Sequence, residues 1–258
     1  MDDPAAEVEE FRFPQVRTLS MDAPWRWLRQ GMQDLRAAPM ASLFYGAVLA
    51  FMGFILGRFA GEAAYELAFV TGFLLVAPFL AMGLYDVSRR RQRGEPVALA
   101  STLLAGRANA PSIGFYALIL ALLLAVWIRV SVVVVALFFE GGVPTLQTLL
   151  RDIAAAESGI VFLLVYLAAG FGFALLVFAS SVISLPMLLD RPGMDTLTAM
   201  ITSFNALRLN FAPMLLWAAM IVVLVGLGFA SFYLGLIVAL PVIGHATWHA
   251  YRETVEPA

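Results

Sequence analysis

The amino-acid sequence predicts an all-α fold, in the form of a polytopic membrane protein with six transmembrane helices. Its 258 residues are 62% hydrophobic and only 13% charged, whereas soluble domains average about 45–50% apolar and 25% charged residues. The apolar residues are concentrated in runs that approach or exceed the roughly 20 residues that a helix needs to cross a bilayer. The chain has no cysteine, so disulfides, thiolate metal ligands and a cysteine nucleophile are excluded.

The six apolar segments define the predicted spans in chain order. They cover about 40–57, 67–85, 111–139, 159–189, 213–230 and 232–251. As continuous helices the third and fourth would be roughly 45 Å long, which exceeds the ~30 Å hydrocarbon core, so we expect them to tilt, kink or project. Gly170 and Gly172 are the expected bend points of the fourth segment. The fifth and sixth are nearly contiguous, which predicts a tight hairpin.

The charged residues predict the orientation in the membrane. Residues 1–20 are expected to form a flexible acidic arm without the apolar core of a cleavable signal peptide, and residues 21–253 a single six-helix transmembrane domain. Arginines are concentrated before the first span, in the loops before the third and fifth spans, and after the sixth, whereas the other loops are rich in acids. Because arginine-rich loops stay in the cytoplasm, both termini are predicted to be cytoplasmic.

The sequence also suggests a threefold internal repeat, over about 24–87, 96–190 and 194–252. The stretches "RAAPMASLFYGAVL", "RANAPSIGFYALIL" and "RLNFAPMLLWAAMI" each place Ala-Pro at the start of an odd-numbered span. Each copy has an arginine three to five residues before its proline; the pairs are Arg36 and Pro39, Arg107 and Pro111, and Arg208 and Pro213. Proline is favoured in the first helical turn, so a general preference of membrane helices is the alternative explanation.

An amphipathic stretch precedes each odd-numbered span. In "PWRWLRQGMQDLR" the apolar residues of one helical face are Trp25, Leu28, Met32 and Leu35. In "MDTLTAMITSFNALR" they are Leu197, Met200, Ile201 and Phe204, and "VALASTLLAGR" carries a weaker version. Such stretches are expected to lie along the membrane interface. Each repeat is therefore predicted to be an interfacial helix followed by a helical hairpin.

Both histidines of the chain lie near the C-terminus, in "GHATWHAYRE". His245 and His249 are four residues apart, so they share a helix face and could chelate one divalent metal, although a tetrahedral site needs about two more ligands. The repeats put Asp86 and Asp190 at corresponding inner ends, where the four side chains could converge on a polar site. The alternative is that they are ordinary polar residues at a helix end, and no cofactor is predicted.

A basic cluster lies in "SRRRQRGE", and its members are Arg89, Arg90, Arg91 and Arg93. Clusters of this kind bind anionic lipid or an acidic partner. Charge that only fixes membrane topology explains the cluster equally well.

Arg129 is the one charge inside a predicted span. Charges in a membrane are functional candidates by default. Arg129, however, lies about 27 Å along a helix from Pro111, which is close to the outer headgroups. Snorkelling beside Trp127, or pairing with Glu140 or Glu157, is therefore the expected role.

Four segments resemble a known family: "LRAAPMASLFYGAVL", "GFLLVAPFLAMGLYDVSRR", "SSVISLPMLLDR" and "PVIGHATWHAYRE". They are similar to Domain of Unknown Function 2189, a family of predicted integral membrane proteins of bacteria, over roughly residues 24–253. The resemblance implies a multi-pass protein of the bacterial cytoplasmic (inner) membrane. It implies no activity, and it assigns no catalytic or binding residues.

Three functions follow from these observations, in decreasing order of support. The first is a non-enzymatic accessory, scaffold or assembly factor whose partners are membrane lipids and a larger membrane complex, with no role for nucleic acid. The second is a small-solute or ion transporter or channel with a polar vestibule on the cytoplasmic side. The third is a metal-dependent membrane enzyme, although the sequence has no Walker motif, HExxH or nucleophile elbow.

Overall fold

The computed structural model describes residues 13–58, 80–139 and 158–257. Within these ranges every regular element is a helix, and the one β contact is an isolated antiparallel bridge between Val16 and Val255. The predicted all-α class is therefore confirmed for the described part of the chain. The acidic residues 1–12 and most of the predicted second span lie outside the described residues.

Ten helices make up the described structure. They are α1 (Ala23–Ala37), α2 (Pro39–Arg58), α3 (80–92), α4 (Leu99–Thr102), α5 (Ala110–Phe138), α6 (Gly159–Ser181), α7 (Ser184–Asp190), α8 (Thr196–Leu209), α9 (Phe211–Ala230) and α10 (Leu236–Thr254). A 3₁₀ turn over Arg107–Asn109 joins α4 to α5.

Three stretches of the described chain are long and apolar enough to cross a membrane. They are Leu99–Phe138, Gly159–Asp190 and Phe211–Ala230, and α1 with α2 makes a fourth if this pair, bent by 108°, is taken as one span. The helix α10 is not among them because its C-terminal half is polar and includes His245, His249 and Arg252. The three or four candidates support an integral membrane protein, whereas the count of six spans stays a prediction.

Proline marks the start of each long helix that follows a short one. Pro39 is the first residue of α2, Pro111 the second of α5 and Pro213 the third of α9. A proline in the first turn lacks only an N–H that has no partner within the helix anyway. The chain can therefore end one helix and begin a long apolar helix at these points.

The interruption of the fourth predicted span lies further along the chain than expected. The helix α6 is unbroken at Gly170 and Gly172, and two turn residues, Val182 and Ile183, separate it from α7. Pro186 accounts for this position because a proline removes the hydrogen bond to the carbonyl four residues earlier and crowds it. Glycine within a helix costs only about 1 kcal/mol and keeps its hydrogen bonds.

The core is concentrated at one end of the helices, here called the polar end: α1, the C-terminal part of α3, α7 and the C-terminal half of α10. Trp27 of α1 meets Trp217 of α9 edge to face, with ring centroids 5.9 Å apart. A Cβ at Gly31 would lie 2.6 Å from the carbonyl oxygen of Val242, so only glycine lets α1 approach α10 this closely. A Cβ at Gly244 would meet Leu84 of α3 at 2.7 Å. The helix α10 is thus enclosed on several sides.

The α5–α6 hairpin extends away from this core. Within the described structure, only 11% of the most apolar window of Leu99–Phe138 and 6% of that of Gly159–Asp190 is buried by protein. Its own packing is aromatic, since Trp127 contacts Tyr166 and Phe173 at centroid distances of 5.5 and 5.3 Å. Apolar side chains that the described residues leave exposed to this extent need a further apolar environment around them.

Candidate functional site

The candidate site is the hydrogen-bonded network of polar side chains buried at the polar end. It begins at His245, which is fully buried on α10. Its Nε2 lies 2.9 Å from the hydroxyl of Ser42 on α2. Its Nδ1 lies 2.9 Å from the hydroxyl of Ser88 and 3.1 Å from the carbonyl of Leu84, both on α3. One imidazole therefore connects three helices.

The second histidine is also buried, and its tautomer follows from its neighbours. The indole N–H of Trp248 donates to Oε1 of Gln92 at 3.0 Å. The amide of Gln92 therefore faces His249 with its NH₂ group, which lies 3.2 Å from Nδ1. Because Nδ1 accepts, the proton of neutral His249 is on Nε2, and it donates to the carboxylate of Asp34 at 2.8 Å.

Asp34 is the acceptor at which α1 joins this network. It lies on the buried face of α1 together with Trp27 and Gly31. Its carboxylate also forms an ion pair with Arg91 of α3. Burial alone raises the pKa of Asp34, but hydrogen bonds from His249 and Ser88 outweigh that effect and hold the pKa below its ordinary value. Asp34 is thus held as a carboxylate between its partners.

Asp86 occupies a separate place on α3. Its side chain is completely buried, and it forms ion pairs with Arg89 at 2.5 Å and Arg90 at 2.7 Å. Arg89 also donates to the carbonyl of Leu189 at 3.0 Å. This guanidinium therefore ties α3 to α7 while it neutralises a buried carboxylate, as an unpaired charge there would be costly.

Asp190, at the end of α7, receives partners from two other segments. Arg93 lies 3.2 Å and Arg252 3.0 Å from its carboxylate, and the hydroxyl of Tyr251 donates to it at 3.0 Å. Arg191 donates to the same tyrosine oxygen at 3.1 Å. Asp190 thereby links α7 to the end of α10.

In the structure the four predicted site residues lie on or near α3, but they do not form one set of metal ligands. Asp86 lies on α3, and both histidines contact that helix through Ser88 and Gln92. Asp190 reaches it only through Arg93. Within the described ranges, no group of three or more His, Asp or Glu side chains has a geometry that could hold a metal ion.

The predicted basic cluster has its carboxylate partners inside the protein. Arg89 and Arg90 pair with Asp86, Arg91 with Asp34 and Arg93 with Asp190. Lipid contact by these arginines stays a prediction, and only the exposed parts of their side chains are available for it. Arg129 lies on the exposed side of α5, and its suggested partners Glu140 and Glu157 lie outside the described residues.

Sequence reasoning missed the residues that hold the histidines; they are Asp34, Ser42, Ser88 and Gln92. A signal was present for two of them: Leu84, Ser88 and Gln92 are each four residues apart and so lie on one face of α3. No spacing connects Asp34 or Ser42 to the histidines, since more than 200 residues intervene.

The two buried asparagines at helix starts serve as connectors rather than caps. Asn109 donates to the carbonyls of Leu188 and Met194 at 3.1 and 2.9 Å. Asn210 accepts from the N–H of Leu19 at 2.7 Å and donates to the carbonyl of Arg17 at 2.8 Å. Neither side chain caps its own helix.

The helices and the network together define the class: a helical integral membrane protein whose buried polar groups are gathered at one end. Residues 66–190 match the family model of Domain of Unknown Function 2189, described as "Predicted integral membrane protein". The match covers just under half of the chain, and it confirms the resemblance over this region. No curated protein and no solved structure matches the chain.

Proposed function

We propose that this protein is a non-enzymatic accessory, scaffold or assembly factor of a larger complex in the bacterial inner membrane. In this proposal residues 21–253 form one domain of six spans, built as three repeats, with both termini in the cytoplasm. The observation that carries it is the contrast between the α5–α6 hairpin, of which the described part of the structure buries very little, and the polar end. A well-packed polar end joined to an exposed apolar hairpin is typical of a protein that binds other membrane helices.

The polar network supports a structural role for its residues. Both nitrogens of His245 and of His249 already have partners in the chain. Asp86 and Asp190 are each held by two arginines. A catalytic acid, base or metal ligand needs a coordination site or proton acceptor open to substrate. Here each group stabilises the contact between helices.

One observation favours transport as the second candidate. The break between α6 and α7 resembles the discontinuous helices that form transporter binding sites. The hydroxyls at the break, however, bond to the backbone: Ser181 donates to Val177 and Ser184 to Ser180, both at 2.6 Å. The hydroxyl of Ser203 accepts the N–H of Ile183 at 3.2 Å. These bonds satisfy backbone groups at the interruption. They also occupy hydroxyls that could otherwise bind a solute.

The test is purification of the tagged full-length chain in mild detergent, with identification and quantification of co-purifying membrane proteins. A leucine at Gly172 of α6 or at Gly226 of α9 would enter open space, since a Cβ at either site has no neighbour within 4 Å. We expect Gly172→Leu to reduce recovery of the partner at least fivefold, and the matched control Gly226→Leu to leave it unchanged.

Two results would contradict the proposal. One is a chain that reproducibly purifies without a stoichiometric membrane partner after crosslinking in intact cells. The other is solute or ion flux in proteoliposomes of the pure protein, lost when Ser184 is replaced by leucine; this result would favour the transporter instead.

A further inference from the structure

The arginines at the polar end fall into two groups. Those of the cluster at 89–93 are all paired with carboxylates in the chain. The side chains of four others are exposed and have no ion pair or hydrogen bond to the described residues; they belong to Arg29, Arg36, Arg107 and Arg208. Three of the four are the arginines that precede the proline in each sequence repeat.

These arginines share one position relative to the helices. Arg36 lies in the last turn of α1 and Arg208 in the last turn of α8, and Arg107 lies in the 3₁₀ turn before α5. Asn109 and Asn210, two residues after Arg107 and Arg208, are buried and fixed by hydrogen bonds. The backbone that carries these two guanidinium groups is therefore held in place.

Exposed apolar side chains precede each of Arg36, Arg107 and Arg208 in the chain. In α1 and α8 they lie on the same helix face as the arginine. On α1 the residues 4, 7 and 11 positions before Arg36 are Met32, Arg29 and Trp25, and Trp25 is 59% exposed. A side chain at these intervals lies on one stripe of a helix. An open groove of about 570 Å³ follows this stripe, with Arg29 and Arg36 beside Trp25, Leu28 and Met32.

The helix α8 repeats this register. The residues 4, 7 and 11 positions before Arg208 are Phe204, Ile201 and Leu197, and they are 37%, 45% and 58% exposed. Beside Arg107, Leu103 and Leu104 are 55% and 59% exposed. Apolar side chains that end in an exposed arginine are typical of helices that lie in the headgroup region, with their apolar face among acyl chains.

We infer that Arg36, Arg107 and Arg208, with Arg29, bind the phosphate groups of anionic phospholipid headgroups at the polar end. A guanidinium can hold a phosphate through two parallel hydrogen bonds, which a lysine cannot do, and all sixteen basic residues of this chain are arginine. The arginines at 89–93, which the sequence singles out, differ from these four because each has a carboxylate partner in the chain.

The test uses delipidated full-length protein and native mass spectrometry, titrated with phosphatidylglycerol or phosphatidylcholine. Each arginine near an anionic membrane surface contributes about fivefold to binding. We expect Arg36→Gln to weaken phosphatidylglycerol binding by about that factor and to leave phosphatidylcholine binding unchanged. Arg93→Gln is the matched control: the same charge is lost from a half-exposed arginine, and Asp190 keeps Arg252, so lipid binding should not change.

The combined variant R36Q/R107Q/R208Q should lose most of the preference for phosphatidylglycerol, and R36K/R107K/R208K should retain part of it. Unfolding of each variant in phosphatidylcholine nanodiscs checks that the fold is intact. Equal loss in Arg93→Gln and Arg36→Gln would overturn the inference. So would a wild-type chain without this preference that acquires it when residues 1–12 are deleted, because the acidic arm would then be the occupant.

Discussion

Replacing Asp34 by alanine removes the acceptor that α1 supplies to His249 and Arg91. The bond from His249 is buried at both ends, with side-chain exposures of 9% and 7%, and a hydrogen bond to a charged group of this kind contributes about 1.5–3 kcal/mol. The Arg91 side chain is 31% exposed, so solvent reduces that ion pair to about 0.5–1 kcal/mol. We therefore expect Asp34→Ala to destabilise the protein by about 2–4 kcal/mol.

The assay is denaturant titration in mixed micelles, followed by tryptophan fluorescence, with Asp22→Ala, at the residue just before α1, as the control. Asp22 also pairs with an arginine, Arg26, but its side chain is 67% exposed, so its loss should leave stability close to wild type. An Asp34→Ala variant as stable as Asp22→Ala would refute the view that the buried network fastens α1. A double-mutant cycle with His249→Ala should give a coupling energy near 1.5–3 kcal/mol.

Gly31→Ala should cost about 1–3 kcal/mol through the clash with α10, partly offset by about 1 kcal/mol of helix propensity, whereas Gly114→Ala, with open space around it, should be neutral or stabilising in the same titration. Asn210→Ala should release the segment at residues 13–20, which limited trypsin digestion would detect as faster cleavage after Arg17. The lowered pKa of Asp34 stabilises the fold above the ordinary value of 3.8; that stability is lost as pH falls through the folded pKa. Asp34→Asn should therefore flatten the acid limb of stability against pH.

The spans that could be predicted from sequence are those in which hydropathy alone decides the outcome. Residues 110–138 and 159–181 are helical as expected, because a run of apolar residues in a membrane must satisfy its own backbone hydrogen bonds; the bend expected at Gly170 and Gly172 is not there. The sequence does not indicate which side of such a helix packs against protein, since lipid and protein both accept apolar side chains. The break at Val182 and Ile183 required attention to Pro186 rather than to glycine.

The helix α1 was predictable in position, but the face that packs against protein was not. Its apolar face, formed by Trp25, Leu28, Met32 and Leu35, was expected to lie along the membrane interface. In the structure Trp25 is exposed, Leu28 and Met32 are half-buried and Leu35 is buried, while the face with Trp27 and Gly31 packs on α10. An interfacial helix has two apolar environments, lipid on one side and protein on the other, so one amphipathic pattern cannot distinguish them.

Asp34 and Ser42 could not be predicted as partners of the histidines because they lie in segments that are distant in the chain. Ser42, Ser88 and Asp34 meet the histidines only after α2, α3 and α1 have packed around α10. Contacts over such separations leave no spacing in the sequence. The positions of His245 and His249 on one helix face were predictable, since that depends only on the helical repeat.

The arginine cluster shows why a run of like charges need not be a solvated surface. Consecutive residues of a helix point about 100° apart, so four arginines within five residues extend in different directions from the end of α3. They reach carboxylates in three segments: Asp34 of α1, Asp86 of α3 itself and Asp190 of α7. A buried carboxylate is stable only when it is paired. These arginines therefore allow the three acids to be buried. Charge that predicts the orientation of a membrane protein can thus also determine how its helices are joined.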